Sequence, residues 1–264
     1  MTLPPLWSWY VQDSALTAKT TKSNENGKGC GAPSRFSPTS IGLGVGGHAI
    51  RVAAQKGYNV RAMARNPAKY ADSYKEFPNV SLVQGDVTKP ETLAECLKGA
   101  TAVIFAVQAA DDATAQQVDR DGLINTAKEC ARANCKLVVI TSVYTSPRQY
   151  YNPLRVLFNT LVKWRMMDAK WEGEQAVRAE PGLKYTIIRP GALTDKPALP
   201  NEYKLGQGDH ALFPMYSIPR EDVGRIAVAA CVDPASDNVT FELAGSTSKK
   251  PATVDGIFNG LKKD

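Results

Sequence analysis

The sequence predicts an α/β domain built on a doubly wound parallel sheet. Three observations carry this reading. From residue 41 onward, apolar runs of strand length alternate with stretches of helical periodicity. Two of those runs, AVIFAV over 102–107 and LVVIT over 137–141, show no polar alternation, as expected of strands buried on both faces. A glycine-rich turn at 42–47 opens the first helix of the alternating part.

The elements follow in order. A short helix over 48–56 stands behind the glycine turn and is stopped by Gly57. Residues 58–64 (YNVRAMA) alternate like a strand, and 80–83 form another. Thr88 with Glu91 reads as a capping box, with Pro90 in the first turn of the helix it starts. The buried strand at 102–107 precedes a helix over 113–133, and the strand at 137–141 precedes a long helical stretch over 154–179. YTIIR over 185–189 is a further strand, stopped by Pro190, and VTFEL over 239–243 is the last. Right-handed crossovers bring the strand ends and their loops to one edge of such a sheet, where ligands bind.

The organisation is one domain, 39–264, including small substrate-side segments toward its C-terminal part. Residues 1–38 read as a flexible extension: after Trp7, Trp9 and Tyr10 they run into TAKTTKSNENGKGCGAPS, polar and aperiodic. With 43% hydrophobic and 22% charged residues over 264 positions, the chain is globular and long enough to bury a core.

The net charge of +6 raises nucleic acid as a partner. The basic residues are scattered, however, with no run of five and no finger or RNA-binding signature. They read as a mildly basic surface, which also suits an anionic cofactor or substrate. Five cysteines form no C-x-x-C pair, and two histidines add too few ligands for a zinc site, so no metal is expected. Odd, unpaired cysteines fit a reducing compartment, cytoplasm or organelle interior, rather than secretion. No apolar run approaches the roughly 20 residues of a membrane span, and no signal-peptide core or internal repeat is visible. G-x-S-x-G, Walker and metal-helix motifs do not occur.

Gly42, Gly44 and Gly47 have the G-x-G-x-x-G spacing. Each glycine has a physical task. Gly42 permits the tight turn, Gly44 lets backbone approach a pyrophosphate, and Gly47 allows close helix packing. The helix N-terminus behind them offers N–H groups to phosphates. At the end of the next strand stands Arg65, where an NAD-preferring site would place an acid for the ribose 2′-hydroxyl. Arginine suits a 2′-phosphate, so NADP(H) is expected over NAD(H). Arg61, at even spacing on that strand, would share its face.

These segments resemble a family. GLGVGGHAIRVAAQKGYNVRAMARNP, VSLVQGDVTKPETL, DAKWEGEQAVRAEPGLKYTIIRPGAL and SIPREDVGRIA with NVTFELAG are similar to the atypical short-chain dehydrogenase/reductases of the NmrA-like and Tic62-like NAD(P)-binding group, across about 41–245. The resemblance implies a Rossmann-like fold and a set of roles. Asp86 and Val87 would meet the adenine. Ala106, Val107 and Gln108 would line the ribose. Ser142 would take the catalytic serine position, and Lys170 would hold the nicotinamide ribose. Pro190, Gly191, Ala192 and Leu193 would face the nicotinamide, and Arg220 would pair with Asp222.

Two departures stand out. The family's first apolar strand is replaced by RFSPTSI over 35–41, in which Pro38 suits no central strand and Ile41 stands at a glycine position. The family's active-site tyrosine position holds Met166, whose thioether cannot donate a proton. Tyr144 is the nearest substitute, ahead of Tyr150 and Tyr151, and all three also read as loop packing.

Other candidates read blandly. Asp111 and Asp112 suit helix capping. Glu174, four residues after Lys170, suits a surface ion pair, and Glu172 lies beside it. His210 sits in a loop over the cofactor edge and His48 in the first helical turn.

Three readings follow. The leading one is an NADP(H)-dependent oxidoreductase passing hydride to a carbonyl, quinone or flavin-like acceptor. The second is a non-catalytic NADP(H)-binding redox sensor, assembly factor or scaffold with a protein partner. The third is a fold that has lost its cofactor.

Overall fold

The computed structural model describes residues 15–19, 44–109, 115–146, 148, 150–162, 165–208, 217–246, 250–251 and 253–264. The strands are β1 (Ala15–Lys19), β2 (Asn59–Ala64), β3 (Val80–Gln84), β4 (Ala102–Phe105), β5 (Lys136–Ile140), β6 (Tyr185–Pro190), β7 (Ala192–Thr194), β8 (Tyr203–Gly206), β9 (Ser217–Pro219) and β10 (Val239–Gly245). The helices are α1 (Val45–Gln55), α2 (Ala71–Tyr74), α3 (Pro90–Leu97), α4 (Leu123–Arg132), α5 (Pro153–Leu157), α6 (Met166–Ala179) and α7 (Arg220–Val232). π-helical turns run over Gln116–Gly122 and Phe158–Val162.

The main sheet has the order β3-β2-β1-β4-β5-β6-β10-β8, and β7 pairs with β9 beside it. The pairs β2–β3, β4–β5, β5–β6 and β6–β10 are parallel. The predicted α/β doubly wound sheet is therefore the fold. Its central strands are covered on both sides, and the apolar runs show how. Ile104, Val138, Ile140 and Ile188 pack toward α1 and α7, while Val103, Phe105, Leu137, Val139 and Ile187 pack toward α3 and α4. Successive side chains point to opposite faces, so a strand apolar at every position needs a helix layer on each side.

The central slot differs from expectation. β1 fills it, drawn from the stretch expected to be a flexible extension. It runs antiparallel to both neighbours: Ala15 registers with Met63 and Phe105, and Lys19 with Asn59. The slot that RFSPTSI would have had to fill thus holds ALTAK in reverse, and Pro38 and Ile41 lie outside the described residues. β1 ends beside the start of β2, with Lys19 opposite Asn59, at the sheet edge away from Gly44.

Two smaller corrections concern helices. The N-cap of α3 is Lys89, without a side-chain cap bond; the Thr88 hydroxyl instead donates to Asp86 Oδ1 at 2.7 Å, so no capping box forms. The long helix expected over 154–179 is broken. Arg165 adopts φ 55°, in the left-handed region, and α6 starts only after it.

α1 and α7 pack closely over one face. A Cβ on Gly224 would lie 2.9 Å from the Ala49 nitrogen and 3.2 Å from the His48 carbonyl carbon. Only glycine lets α7 come this near the first turn of α1.

Candidate functional site

The C-terminal ends of β2 to β6 and the N-terminus of α1 lie along one sheet edge. α1 ends in the Gly57 turn that leads into the start of β2, so its first turn stands at the opposite, strand-end side. There Gly44 is the N-cap, with φ −63° and ψ 175°. That conformation does not demand glycine. Among the described residues nothing lies within 4 Å of where its Cβ would be. Among the described residues, the absence of a side chain leaves space in front of a helix N-terminus whose first turn carries no acid. Such an arrangement fits an anion approaching backbone N–H groups. Gly47 is buried in the same turn. Gly42 lies outside the described residues.

Arg65 follows β2 directly and is exposed, with its carbonyl accepting from Gln84 Nε2 at 3.3 Å. Arg61 does not join it. Its guanidinium donates to the carbonyls of Glu95, Cys96 and Lys98 at 3.3, 2.9 and 3.1 Å, capping α3 toward the other edge. Asp86 closes the turn after β3, its Oδ1 accepting from the Thr88 N–H at 2.9 Å as well as from the hydroxyl. Val87 is buried, and its carbonyl accepts from Asn125 Nδ2 at 3.0 Å. Ala106, Val107 and Gln108 follow β4, Val107 buried and the others half-buried.

The post-β4 loop is tied down by Asp119, which the sequence reading overlooked. This fully buried carboxylate accepts from the Ala109 N–H at 3.1 Å and from Lys170 Nζ at 2.5 Å. Lys170, expected to reach a ribose, thus has its ammonium on Asp119, with a side chain only 8% exposed. Gly173, one turn along α6, makes the approach feasible: a Cβ there would stand 2.9 Å from the Asp119 carbonyl oxygen. A signal existed. Asp119 falls on the buried stripe Ala115, Asp119, Gly122, Thr126, Cys130, so it is a lone acid on an otherwise uncharged helical face.

Glu174 is not on the surface either. It is fully buried and accepts from Arg189 NH2 at 2.6 Å, Arg178 NH2 at 3.1 Å and the Thr141 hydroxyl at 2.7 Å. Its i,i+4 spacing from Lys170 puts both on the inner face of α6, each with a partner from another element. Arg220 pairs with Asp195 at 2.8 Å rather than with Asp222. Asp222 instead accepts from the Leu199 N–H at 2.8 Å and the Tyr203 hydroxyl at 2.9 Å.

Ser142 follows β5, half-buried, its Oγ accepting from the Tyr144 N–H at 3.3 Å. Tyr144 is buried against Phe158, ring centroids 5.5 Å apart, and burial pushes its phenol pKa up. Met166 is buried, its sulfur 3.1 Å from Gln108 Nε2. Gly191 donates to the Leu243 carbonyl at 2.9 Å, Pro190 accepts from Val143 at 3.2 Å, and Leu193 registers with Ile218. Asp111, Asp112 and His210 lie outside the described residues.

Comparison with known proteins decides the family: the model described as NAD(P)H-binding matches residues 44–234. The chain belongs to this NAD(P)H-binding family. A chloroplastic, uncharacterised protein of Arabidopsis thaliana is 28% identical over 220 residues, covering 78% of this chain and 75% of that protein. Photosystem II assembly factor Ycf39 of Synechocystis is 26% identical over 211 residues, 76% of this chain; the chain spans 60% of that relative's length. Among solved structures, the oxidoreductase ylbE of Lactococcus lactis superposes with a TM-score of 0.68 at 19% identity, covering 81% of this chain and 90% of that one. A wide-type short-chain dehydrogenase/reductase of Veillonella parvula, in complex with NADP, gives 0.55 at 17%, covering 79% and 94%. These structures share the Rossmann-type fold. No helix among the described residues is long and apolar enough to cross a membrane.

Proposed function

We propose that the chain binds NADP(H) across the sheet edge and serves as an oxidoreductase passing hydride to a small carbonyl, quinone or flavin-like acceptor. The observation that carries the binding half is the space that the described residues leave at Gly44 before the acid-free first turn of α1. A pyrophosphate would sit there, on backbone N–H groups and the positive end of the helix dipole. Gly42 and Gly47 would complete the turn. Arg65 would take the 2′-phosphate, Asp86 and Val87 would border the adenine, and Ala106 and Val107 the ribose. Pro190, Gly191 and Leu193 would close the nicotinamide end.

The bound cofactor supplies the hydride; the chain supplies position and polarity. Ser142 would donate a hydrogen bond to the acceptor oxygen. Tyr144, two residues on, would be the proton donor, a phenol that is protonated at neutral pH without any shift. Lys170 would act through Asp119, fixing the post-β4 loop, rather than as a free ammonium on the ribose. Purified protein should oxidise NADPH in the presence of a quinone or carbonyl panel, and Ser142→Ala should lower kcat by about tenfold or more at unchanged NADPH affinity. Unchanged turnover in that variant would refute the assignment.

A second reading has its own observations: Met166 at the tyrosine position, facing Gln108, and Lys170 held by Asp119. Both suit a cofactor-binding assembly factor or sensor, as the Ycf39 relative is named, working beside a protein partner in an organelle interior. NADPH binding without turnover on any acceptor would select it.

A further inference from the structure

Cys130 and Cys135 stand at the C-terminal end of α4, at two positions that a helix stop brings together. The stop is a Schellman motif. Asn134 takes φ 51°, in the left-handed region. Its N–H donates to the Ala131 carbonyl at 3.2 Å, and the Cys135 N–H donates to the Cys130 carbonyl at 3.0 Å. The second bond joins the third-last residue of the helix to the residue after the left-handed one. Side chains at those two positions meet, as an apolar contact in the ordinary motif. Here both are free thiols. The backbone bond between them brings their Cα atoms within the roughly 4.4–6.8 Å that a disulfide spans.

The two thiols are not equivalent. Cys130 is sealed in the core behind the sheet. Cys135 is 4% exposed and lines a cleft of about 290 Å³ at the starts of β4, β5 and β6, shared with Thr101, Lys136, Lys184 and Cys231. The Cys130 thiol donates to the Cys135 sulfur. That bond holds the Cys135 pKa below the usual thiol value, against the effect of burial, and with burial it holds Cys130 well above it. The thiol that meets the cleft is thus the more acidic one, and its resolving partner is already against it. Thiol–disulfide exchange needs the roles in that order. Cys231 shares the cleft, but burial pushes its pKa up to about 12 and keeps it a thiol.

We propose that Cys130 and Cys135 form a reversible dithiol–disulfide pair, oxidised from the cleft by a small disulfide and restored by a dithiol. Cys135 gives its proton to water, and its sulfur attacks one sulfur of the oxidant R–S–S–R. The oxidant's S–S bond breaks, R–S⁻ leaves and takes up a proton, and a mixed disulfide remains on Cys135. Cys130 then loses its proton and attacks the Cys135 sulfur, expelling the second R–S⁻, which is protonated likewise. Two thiols have lost two electrons and two protons, and the oxidant has become two R–SH. The new bond clamps the end of α4 to the start of β5. Ser142 lies at the other end of that strand, so nothing in this depends on the cofactor.

The test uses glutathione disulfide on the folded full chain, with remaining thiols then blocked by iodoacetamide. Trypsin cuts after Lys128, Arg132 and Lys136, so the bond joins peptide 129–132 to peptide 133–136, a species that dithiothreitol abolishes. This linked pair should appear when glutathione disulfide is in excess over glutathione and vanish as the ratio is reversed. Cys130→Ser should stop at a glutathione adduct on Cys135, and Cys135→Ser should leave Cys130 unmodified, each with the near-ultraviolet circular dichroism of the unaltered chain. A measurement without variants stands beside these: in the native chain iodoacetamide should label Cys135 at least roughly tenfold faster than Cys130. Absence of the linked pair at the most oxidising ratio overturns the proposal, as does its formation only in urea or equal labelling of the two thiols. A bond from Cys135 to Cys30, Cys96 or Cys231 in its place overturns it as well.

Discussion

Replacing Asp119 by alanine removes one carboxylate and leaves two groups stranded. The Lys170 ammonium, 2.5 Å from that carboxylate on a side chain 8% exposed, would lose its buried partner. The Ala109 N–H, now 3.1 Å from Asp119 Oδ2, would lose its acceptor. Breaking a buried pair by deleting one partner costs about 3–5 kcal/mol. For a domain of this size each kcal/mol lowers Tm by roughly 2–4 °C, so the drop should be about 6–20 °C. Asp119→Ala combined with Lys170→Met removes both charges, and the double variant should be more stable than Asp119→Ala alone. Thermal unfolding followed by circular dichroism, with urea melts for ΔG, measures both. A loss below about 0.5 kcal/mol in the single variant, or strict additivity in the pair, would refute a coupled buried ion pair.

Three further outcomes follow from the geometry. Gly224→Ala pushes a methyl against α1 backbone, 2.9 Å from the Ala49 nitrogen, and should cost about 1–3 kcal/mol in a urea melt; an unchanged midpoint would mean that α1 and α7 separate freely. His48 has a pKa lowered from 6.5 by burial, partly offset by Glu221. The fold therefore favours its neutral form: the contribution is complete above pH 6.5 and is lost as pH falls through the lowered value, so between about pH 5.5 and 7.5 the Tm of His48→Gln should vary less than that of the unaltered chain. Equal slopes would contradict this. Arg65→Ala should weaken NADPH binding by about tenfold or more and leave NADH binding unchanged in a fluorescence titration; equal loss for both would remove the 2′-phosphate role.

The legible parts of the fold were those with local causes. AVIFAV and LVVIT read as buried strands because covering both faces of a strand leaves no polar alternation, and the glycine turn announced α1 because anion approach and tight packing exclude side chains. β1 was illegible because ALTAK has no apolar run; its place comes from two partners at Asn59–Ala64 and Ala102–Phe105, and neither its slot nor its direction is written in its own five residues. The break at Arg165 hid inside an unbroken helical periodicity.

At the site the same division holds. The positions of Gly44, Arg65 and Ser142 at strand ends or a helix start were readable. The partners of Lys170 and Glu174 were not, because Asp119 lies 51 positions from Lys170 and Arg189 lies 15 from Glu174, beyond any i,i+4 rule. A surface pair was the local solution; the fold chose buried pairs across elements. Arg61 was misread for the same reason, since its acceptors on α3 are at least 34 positions away.

The central claim is that a dinucleotide pyrophosphate sits on the N-terminus of α1 at Gly44. Gly44→Ala tests it cleanly, because φ −63° and ψ 175° suit alanine and its methyl would enter space that the described residues leave open. The unfolded-state gain from replacing glycine is opposed by alanine being the poorer N-cap, so stability should change by no more than about 1 kcal/mol. Titration with NADPH should show tight binding to the unaltered chain and at least roughly tenfold weaker binding to the variant. Equal affinity in the two proteins, or no binding by either, would contradict the account.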